Sequence, residues 1–260
     1  VEAPCEAWAM NTSTHPPGVL AREVALQREL ELARAELQEF TYTVSHDLRA
    51  PVRHILAYIQ VIAEDFPDLP AEVLSHLQVV SQSAHTLGEQ IEGLTRLSRL
   101  GTHPLRLQAV DAIALAREVA AQLDATRREG AVEWAFPPDA PAVVADPELL
   151  RQLWAHLLGN AWKFTRGKAL ATIRIDCRRI DGECPLVELG IRDNGVGFAS
   201  NQAAALGKVF GRLHSKRDFE GLGLGLVSVR RILDRMGGTL AIEGTVNQGC
   251  CATVRLPTVV

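Results

Sequence analysis

From Val19 onward, the apolar residues in the first hundred positions recur at intervals of three and four. Leu26, Leu30, Ala33, Leu37, Phe40 and Val44 follow one another at spacings of 4, 3, 4, 3 and 4. This is the a/d seam of a coiled coil, and Arg and Glu fill the positions between. The pattern continues past Pro51 through Ile55, Ile59 and Ile62 and stops at the turn Phe66-Pro67-Asp68-Leu69-Pro70. Pro51 lacks the amide that would bond to Asp47, so a kink is predicted there. A second helix is predicted over Ala71 to Leu100, where Leu74, Leu77, Ala84, Leu87, Ile91 and Leu94 form one apolar face. Such a face is not stable alone. Two hairpins of this kind cover each other's stripes as a four-helix bundle, so a homodimer is expected on packing grounds.

Outside the hairpin the pattern differs. Residues 1–18, with Pro4, Pro16, Pro17 and Gly18, lack periodicity and read as a loose lead-in. After Gly101-Thr102-His103-Pro104 the chain turns to mixed helix and strand, which predicts one domain over 19–103 and a second over 104–260. In the second, Asp111 to Leu123 reads as helix. Asp146 followed by Pro147 reads as the N-cap and first residue of a helix ending at Phe164. Alternation predicts strands at Ala171–Arg178, Leu186–Arg192, Thr239–Glu243 and Ala252–Leu256, with a helix over Leu224–Met236 among them. The expected fold class is thus an α-helical hairpin forming a dimeric four-helix bundle, followed by an α/β sandwich with helices on one face of a mixed sheet.

Composition narrows the chemistry. The chain has 260 residues, is 47% hydrophobic and 22% charged, and carries a formal net charge of -4. That balance argues against a general nucleic-acid binder, which needs an excess of clustered cations. Cys5, Cys177, Cys184, Cys250 and Cys251 show neither metal-ligand spacing nor an even count, so a reducing, cytoplasmic setting is expected. No apolar run approaches the ~20 residues of a membrane span, so no membrane contact is expected within the chain. A first residue of Val1 rather than Met suggests that an upstream domain is missing.

Four constellations carry candidate chemistry. The first is Val44-Ser45-His46-Asp47-Leu48-Arg49-Ala50-Pro51. Val44 and Leu48 belong to the seam, so His46 between them is expected to face solvent, where a neutral imidazole is a usable nucleophile. Asp47 can accept the other ring N–H, and Arg49 at i+3 can meet an incoming phosphate. A lone exposed histidine is ordinarily only a surface residue, and His54, His76, His85 and His103 read as such. The second is the run from Leu150 to Thr165, where His156, Asn160 and Lys163 share one helix face. Asn160 offers a hard oxygen to Mg2+ and Lys163 a charge to phosphates, although an N-x-x-K face alone is more often just solvated surface.

The third is Asp193-Asn194-Gly195-Val196-Gly197, placed after a predicted strand. A carboxylate there can accept the exocyclic amine of adenine, while Gly195 and Gly197 let the backbone approach the base. The fourth is Gly221-Leu222-Gly223-Leu224-Gly225, which runs into a helix whose free N–H groups attract anions.

The run around His46 resembles the phosphoacceptor box of histidine kinases, and VSHDLRAPVRHI looks like the phytochrome-type version. Asn160 and Lys163 resemble the N box of the same family, with His156 where Asn is common. Taken in order, all four constellations resemble a HisKA domain followed by a GHKL ATP-binding domain over about residues 30–257. The resemblance implies His46 as phosphoacceptor, with Asp47 and Asn160 as its catalytic companions. It implies an ATP site made by Asn160, Lys163, Asp193, Gly195, Gly197, Gly221, Gly223 and Gly225, with Mg2+ on Asn160. It also implies transfer to an aspartate of a response-regulator receiver domain. Phe210-Gly211-Arg212-Leu213-His214 corresponds to the F box, so residues 199–220 are expected to form a lid. Ala50 stands where kinases that also dephosphorylate their partner carry Thr or Asn, which implies weak phosphatase activity. Cys250 stands where Thr, Ser or Ala is usual, with little effect on nucleotide affinity expected. Two rival readings are a GHKL ATPase used as a conformational clamp and a degenerate, non-catalytic scaffold. The acceptor helix opposes the first, and intact Asn160 and Asp193 oppose the second.

Overall fold

The computed structural model describes residues 17–101, 104–126, 131–199, 202, 206–214 and 218–258. The chain divides into two compact units, residues 1–102 and 103–260. In the first, α1 runs over Pro17–Asp65 and α2 over Ala71–Leu100. The expected lead-in lies outside the described residues as far as 16, and the helix has already started at Pro17, where a missing amide costs nothing. α1 continues through Pro51. The two helices meet through Val52, Ala84 and Ile91, with Leu56 packed alongside. Gly88 opposite Val52 lets the helices close up, since an added Cβ would lie 3.7 Å from Val52 Cγ1. The remaining seam is uncovered in a single chain. Leu37 and Phe40 are each 64% exposed, and Leu26, Val44, Leu48 and Ile55 are exposed beside them. The side chain of Leu30 lies outside the described residues. His54, His76 and His85 are exposed, and His103 is also outside the described residues.

The second unit is built on a five-stranded sheet in the order β2-β4-β5-β7-β6. Its strands are β2 (Ala131–Ala135), β4 (Leu170–Ile180), β5 (Leu186–Asp193), β6 (Thr239–Thr245) and β7 (Gly249–Pro257). β2 lies parallel to β4, and the other pairs are antiparallel. A small antiparallel pair joins β1 (Gln108–Val110) to β3 (Val143–Ala145). The helices are α3 (Ala112–Ala125), α4 (Pro147–Phe164) and α5 (Gly225–Met236). Period-two alternation puts Ala171, Ile173 and Ile175 of β4, Val187, Leu189 and Ile191 of β5, and Ala252, Val254 and Leu256 of β7 in the core. Period-3.6 alternation on α4 contributes Leu149, Leu150, Leu153, Trp154, Leu157 and Leu158, and α5 contributes Val229, Ile232, Leu233 and Met236. On the opposite face of the sheet Glu188 bridges Arg178 and Arg255 across three strands, and their hydrogen bonds, Arg255 first, hold its carboxyl below the usual range.

Strands β1, β2 and β3 are additions to the sequence-based expectation. They are three to five residues long, too short for a period-two pattern to stand out in the sequence. The helix starts follow local chemistry. Asp111 Oδ1 accepts from the amides of Ile113 and Ala114 at 3.0 and 2.8 Å. Asp146 Oδ1 accepts from Glu148 and Leu149 at 3.0 and 3.1 Å, and its Oδ2 accepts from the Arg106 amide at 2.9 Å.

Asp146 is buried, and it both caps α4 and ties the segment leading into β1 to it. Asp146→Ala is therefore expected to lower unfolding free energy by about 2–3 kcal/mol, the sum of a cap and one further charged hydrogen bond. Asp146→Asn, which can still cap, should lose less than half of that. Urea denaturation of both variants checks the order.

Candidate nucleotide and phosphoacceptor sites

The polar face of α4 is half-buried under the glycine-rich run. A Cβ on Gly225 would lie 3.6 Å from His156 Nδ1 and 3.9 Å from Asn160 Nδ2, and one on Gly221 would lie 3.6 Å from Lys163 Nζ. The start of α5 thus lies beside His156 and Asn160, and the loop before it beside Lys163. Gly223, at φ 75°, brings the loop so near Gly211 that a Cβ would sit 2.5 Å from its carbonyl oxygen. No side chain caps α5 at Leu224, so amides of its first turn remain available to an anion. Lys163 Nζ donates to Asn160 Oδ1 at 3.3 Å and stands 4.3 Å above the Phe164 ring. Burial, then the nearby Arg212 and Arg166, lower the Lys163 pKa, while Glu220 opposes them.

Asp193 ends β5 and is nearly buried. Its Oδ1 accepts from the Gly195 amide at 2.8 Å and the Cys250 amide at 3.3 Å. Those bonds favour the carboxylate, but burial outweighs them and pushes the carboxyl up to about 6. Among the described residues Oδ2 has no hydrogen-bond donor. The glycines that follow make room for protein as well. A Cβ on Gly195 would lie 2.6 Å from the Phe164 carbonyl oxygen, and Gly197, at φ 59°, packs on the Thr245 carbonyl. Val196 donates its amide to that Phe164 oxygen at 3.1 Å. The Asp193 loop is thereby fastened to the last turn of α4, beside Lys163. Asn194 locks the other side, with Oδ1 accepting from the Thr172 amide and Nδ2 donating to the Leu170 carbonyl, both at 3.0 Å. Cys250 reaches Asp193 through its backbone amide, so that bond is indifferent to the side chain. Burial first, then Asp193 and Cys251, push the Cys250 thiol up to about 12.

The segment expected as a lid is partly described, with residues 200, 201, 203–205 and 215–217 outside the described residues. What is described is held partly by Arg212 and His214 of the Phe210–His214 run and partly by Arg166, Phe219 and Glu220, which the sequence does not single out. Arg212 donates to the carbonyls of His214, Phe219 and Gly221. Phe164, His214 and Phe219 form a cluster of rings with centroids 4.9–5.4 Å apart. Arg166 pairs with Glu220 at 2.8 Å. The available sequence signal was an aromatic residue directly after Lys163.

In the first unit, the His46 side chain is 68% exposed, and its Nδ1 lies 3.2 Å from Asp47 Oδ1. Ser45 beside it is buried, which fixes the rotation of α1 and leaves the imidazole outward. Arg49 is engaged rather than extended into solvent, with Nη2 donating to Thr95 Oγ1 on α2 at 3.2 Å. Among the described residues there is no group of three His, Cys, Asp or Glu suited to a metal, and no helix is long and apolar enough to cross a membrane.

Comparison with known proteins agrees with this arrangement. Residues 36–103 match the model of the His Kinase A (phospho-acceptor) domain, and residues 145–260 match that of the histidine kinase-, DNA gyrase B- and HSP90-like ATPase. Cyanobacterial phytochrome B of Nostoc sp. is 29% identical over 226 residues, covering 86% of this chain and 30% of that protein. The methanogenesis regulatory histidine kinase FilI of Methanothrix harundinacea is 28% identical over 232 residues, covering 88% and 26%. The chain thus spans under a third of the length of these relatives. The crystal structure of full-length ShkA in complex with AMPPNP aligns with a TM-score of 0.60 at 28% identity, over 85% of this chain and 46% of that one. Acinetobacter baumannii histidine kinase AdeS has the same fold, with a TM-score of 0.53 at 20% identity over 83% and 98%. With a phospho-acceptor match followed by an ATPase match along one polypeptide, this chain belongs to the histidine kinases.

Proposed function

We propose that this chain is the catalytic part of a cytoplasmic sensor histidine kinase. It binds ATP in its second unit, phosphorylates its own His46 as a homodimer, and passes the phosphate to an aspartate of a response-regulator receiver domain. The observation that carries the reading is the presence, on one chain, of an exposed imidazole oriented by Asp47 and a buried carboxylate beside a lysine and asparagine stripe. A clamp ATPase has no use for the former. The uncovered seam at Leu26, Leu37, Phe40, Val44, Leu48 and Ile55 supports the dimer, since each large side chain buried there contributes roughly 1.5–3 kcal/mol before entropy is subtracted.

Asp193 suits the exocyclic amine of adenine through Oδ2, because Oδ1 is already held by backbone amides. Lys163 and the first turn of α5 suit the phosphates. Asn160 offers a hard side-chain oxygen on the stripe and would hold a Mg2+ ion, which would supply positive charge against the phosphates. With the proton on Nδ1 held by Asp47, His46 has its lone pair on Nε2. Nε2 forms the bond to the γ-phosphorus, the bond from that phosphorus to the bridging oxygen breaks, and its electron pair leaves with ADP. The Nδ1 proton remains against Asp47, which stabilises the positive ring.

Three outcomes are expected. His46→Gln should abolish acid-labile, base-stable label from ATP while fluorescent-nucleotide binding persists; label retained by the variant removes His46 from the mechanism. Asp193→Asn should bind nucleotide at least about tenfold more weakly yet be the more stable protein near neutral pH. The folded carboxyl titrates near 6 against an ordinary 3.8, so the folded chain holds the proton more tightly. Ionisation then costs stability progressively as pH rises from about 4 to 6, by up to about 3 kcal/mol in all. Denaturation of variant and wild type at pH 4 and pH 7 should show the gap opening only at the higher pH. Third, Ala50 has no group to position a water on the receiver's acyl phosphate, a loss of ~2–4 kcal/mol in the transition state. Dephosphorylation of a phosphorylated receiver should therefore be slow, and rapid loss of receiver phosphate with His46→Gln contradicts it.

A further inference from the structure

We infer that Thr95 is a positioning residue for phosphoryl transfer onto His46, acting through Arg49. The inference rests on the reading of His46 as the acceptor. Arg49 follows His46 by three residues, so the two side chains leave neighbouring parts of the same helix surface. Ser45, Arg49 and Val52 stand at i, i+4 and i+7. Ser45 and Val52 are buried, so this is the face of α1 turned toward α2. Arg49 crosses to α2 and donates from Nη2 to Thr95 Oγ1 at 3.2 Å.

Thr95 is an unusual acceptor. It is only 3% exposed, and its hydroxyl proton is committed to the Ile91 carbonyl at 2.9 Å. Oγ1 can therefore only accept from the guanidinium, and the α2 backbone fixes its position. Among the described residues no carboxylate pairs with Arg49, although exposed arginines elsewhere on this chain do find one, as Arg96 finds Glu92 and Arg178 finds Glu188. A half-buried guanidinium held by a neutral hydroxyl keeps its full charge and four of its five N–H groups for another partner. The nearest chemistry that needs them is the phosphoryl group arriving at His46 Nε2. As the bond to phosphorus forms and the bond to the ADP oxygen breaks, negative charge spreads over the equatorial oxygens. A cation already in place stabilises that charge without a change of rotamer at the moment of reaction. Thr95 touches none of the reacting atoms. It limits where Arg49 can be.

The test uses the full chain with ATP, following label on His46. Thr95→Val keeps shape and removes the acceptor; it should lower the autophosphorylation kcat about tenfold, the order expected for one hydrogen bond to a charged group. ATP KM, nucleotide binding and thermal melting should be unchanged, and Thr95→Ser should restore the rate. Arg49→Lys, which keeps the charge but not the fork, should show the same loss. In a double-mutant cycle, Thr95→Val added to Arg49→Ala should cost nothing more. A wild-type rate in Thr95→Val, or losses that multiply in the double variant, overturns the inference while leaving the kinase reading standing. Absence of acid-labile label in the wild-type chain overturns both.

Discussion

The carbonyl oxygen of Phe164, at the end of α4, accepts the amide of Val196, and most of the geometry of the proposed nucleotide site depends on that one junction. A helix and a strand of an α/β layer touch mainly through side chains, which leave some freedom to slide. Here the last turn of the helix is joined by backbone to the segment leaving the strand. Gly195 has to lack a Cβ for the join to close, because a side chain there would overlap the same oxygen. The consequence is that Lys163 and Asp193, thirty positions apart in sequence, are held at a fixed offset. Asn194 repeats the device on the other side by satisfying the free amide and carbonyl at the start of β4.

Asp193 shows what such a fixed geometry costs. Two backbone amides converge on one carboxylate oxygen, which in water would favour the ion, yet burial dominates and the group titrates near 6. The folded chain therefore carries a charge that destabilises it whenever nothing occupies Oδ2. A donor arriving there recovers part of that energy, and this is the usual relation between a preorganised site and the stability of the fold around it.

Much of this was legible in the sequence because it is local. The 4-3 spacing from Leu26 to Val44, the Asp146-Pro147 helix start and the alternation in β4, β5 and β7 are set by neighbours within a few residues, and each places its element to within two or three positions. His46 pointing outward follows from Val44 and Leu48 lying on the seam. What was not legible depends on residues distant in the chain. β2 exists because Ala131–Ala135 can lie parallel to β4, which no five-residue pattern announces. The cluster of Phe164, His214 and Phe219 joins positions fifty residues apart. Arg49 is expected to share the face of His46, but its side chain crosses to Thr95, which sits on another helix. At Gly195 and Gly197 the sequence suggests close approach of the backbone, but the Phe164 and Thr245 carbonyls that they approach lie far off in the chain.

Arg212 grips its own loop through the carbonyls of His214, Phe219 and Gly221 rather than through their side chains. Every amino acid supplies a carbonyl. The segment spanned by this one guanidinium can therefore accumulate substitutions over evolutionary time without losing its anchor, provided the arginine and the path of the backbone persist. Divergence among relatives should then be tolerated in this span at positions other than His214, Phe219 and Glu220, whose side chains make contacts of their own.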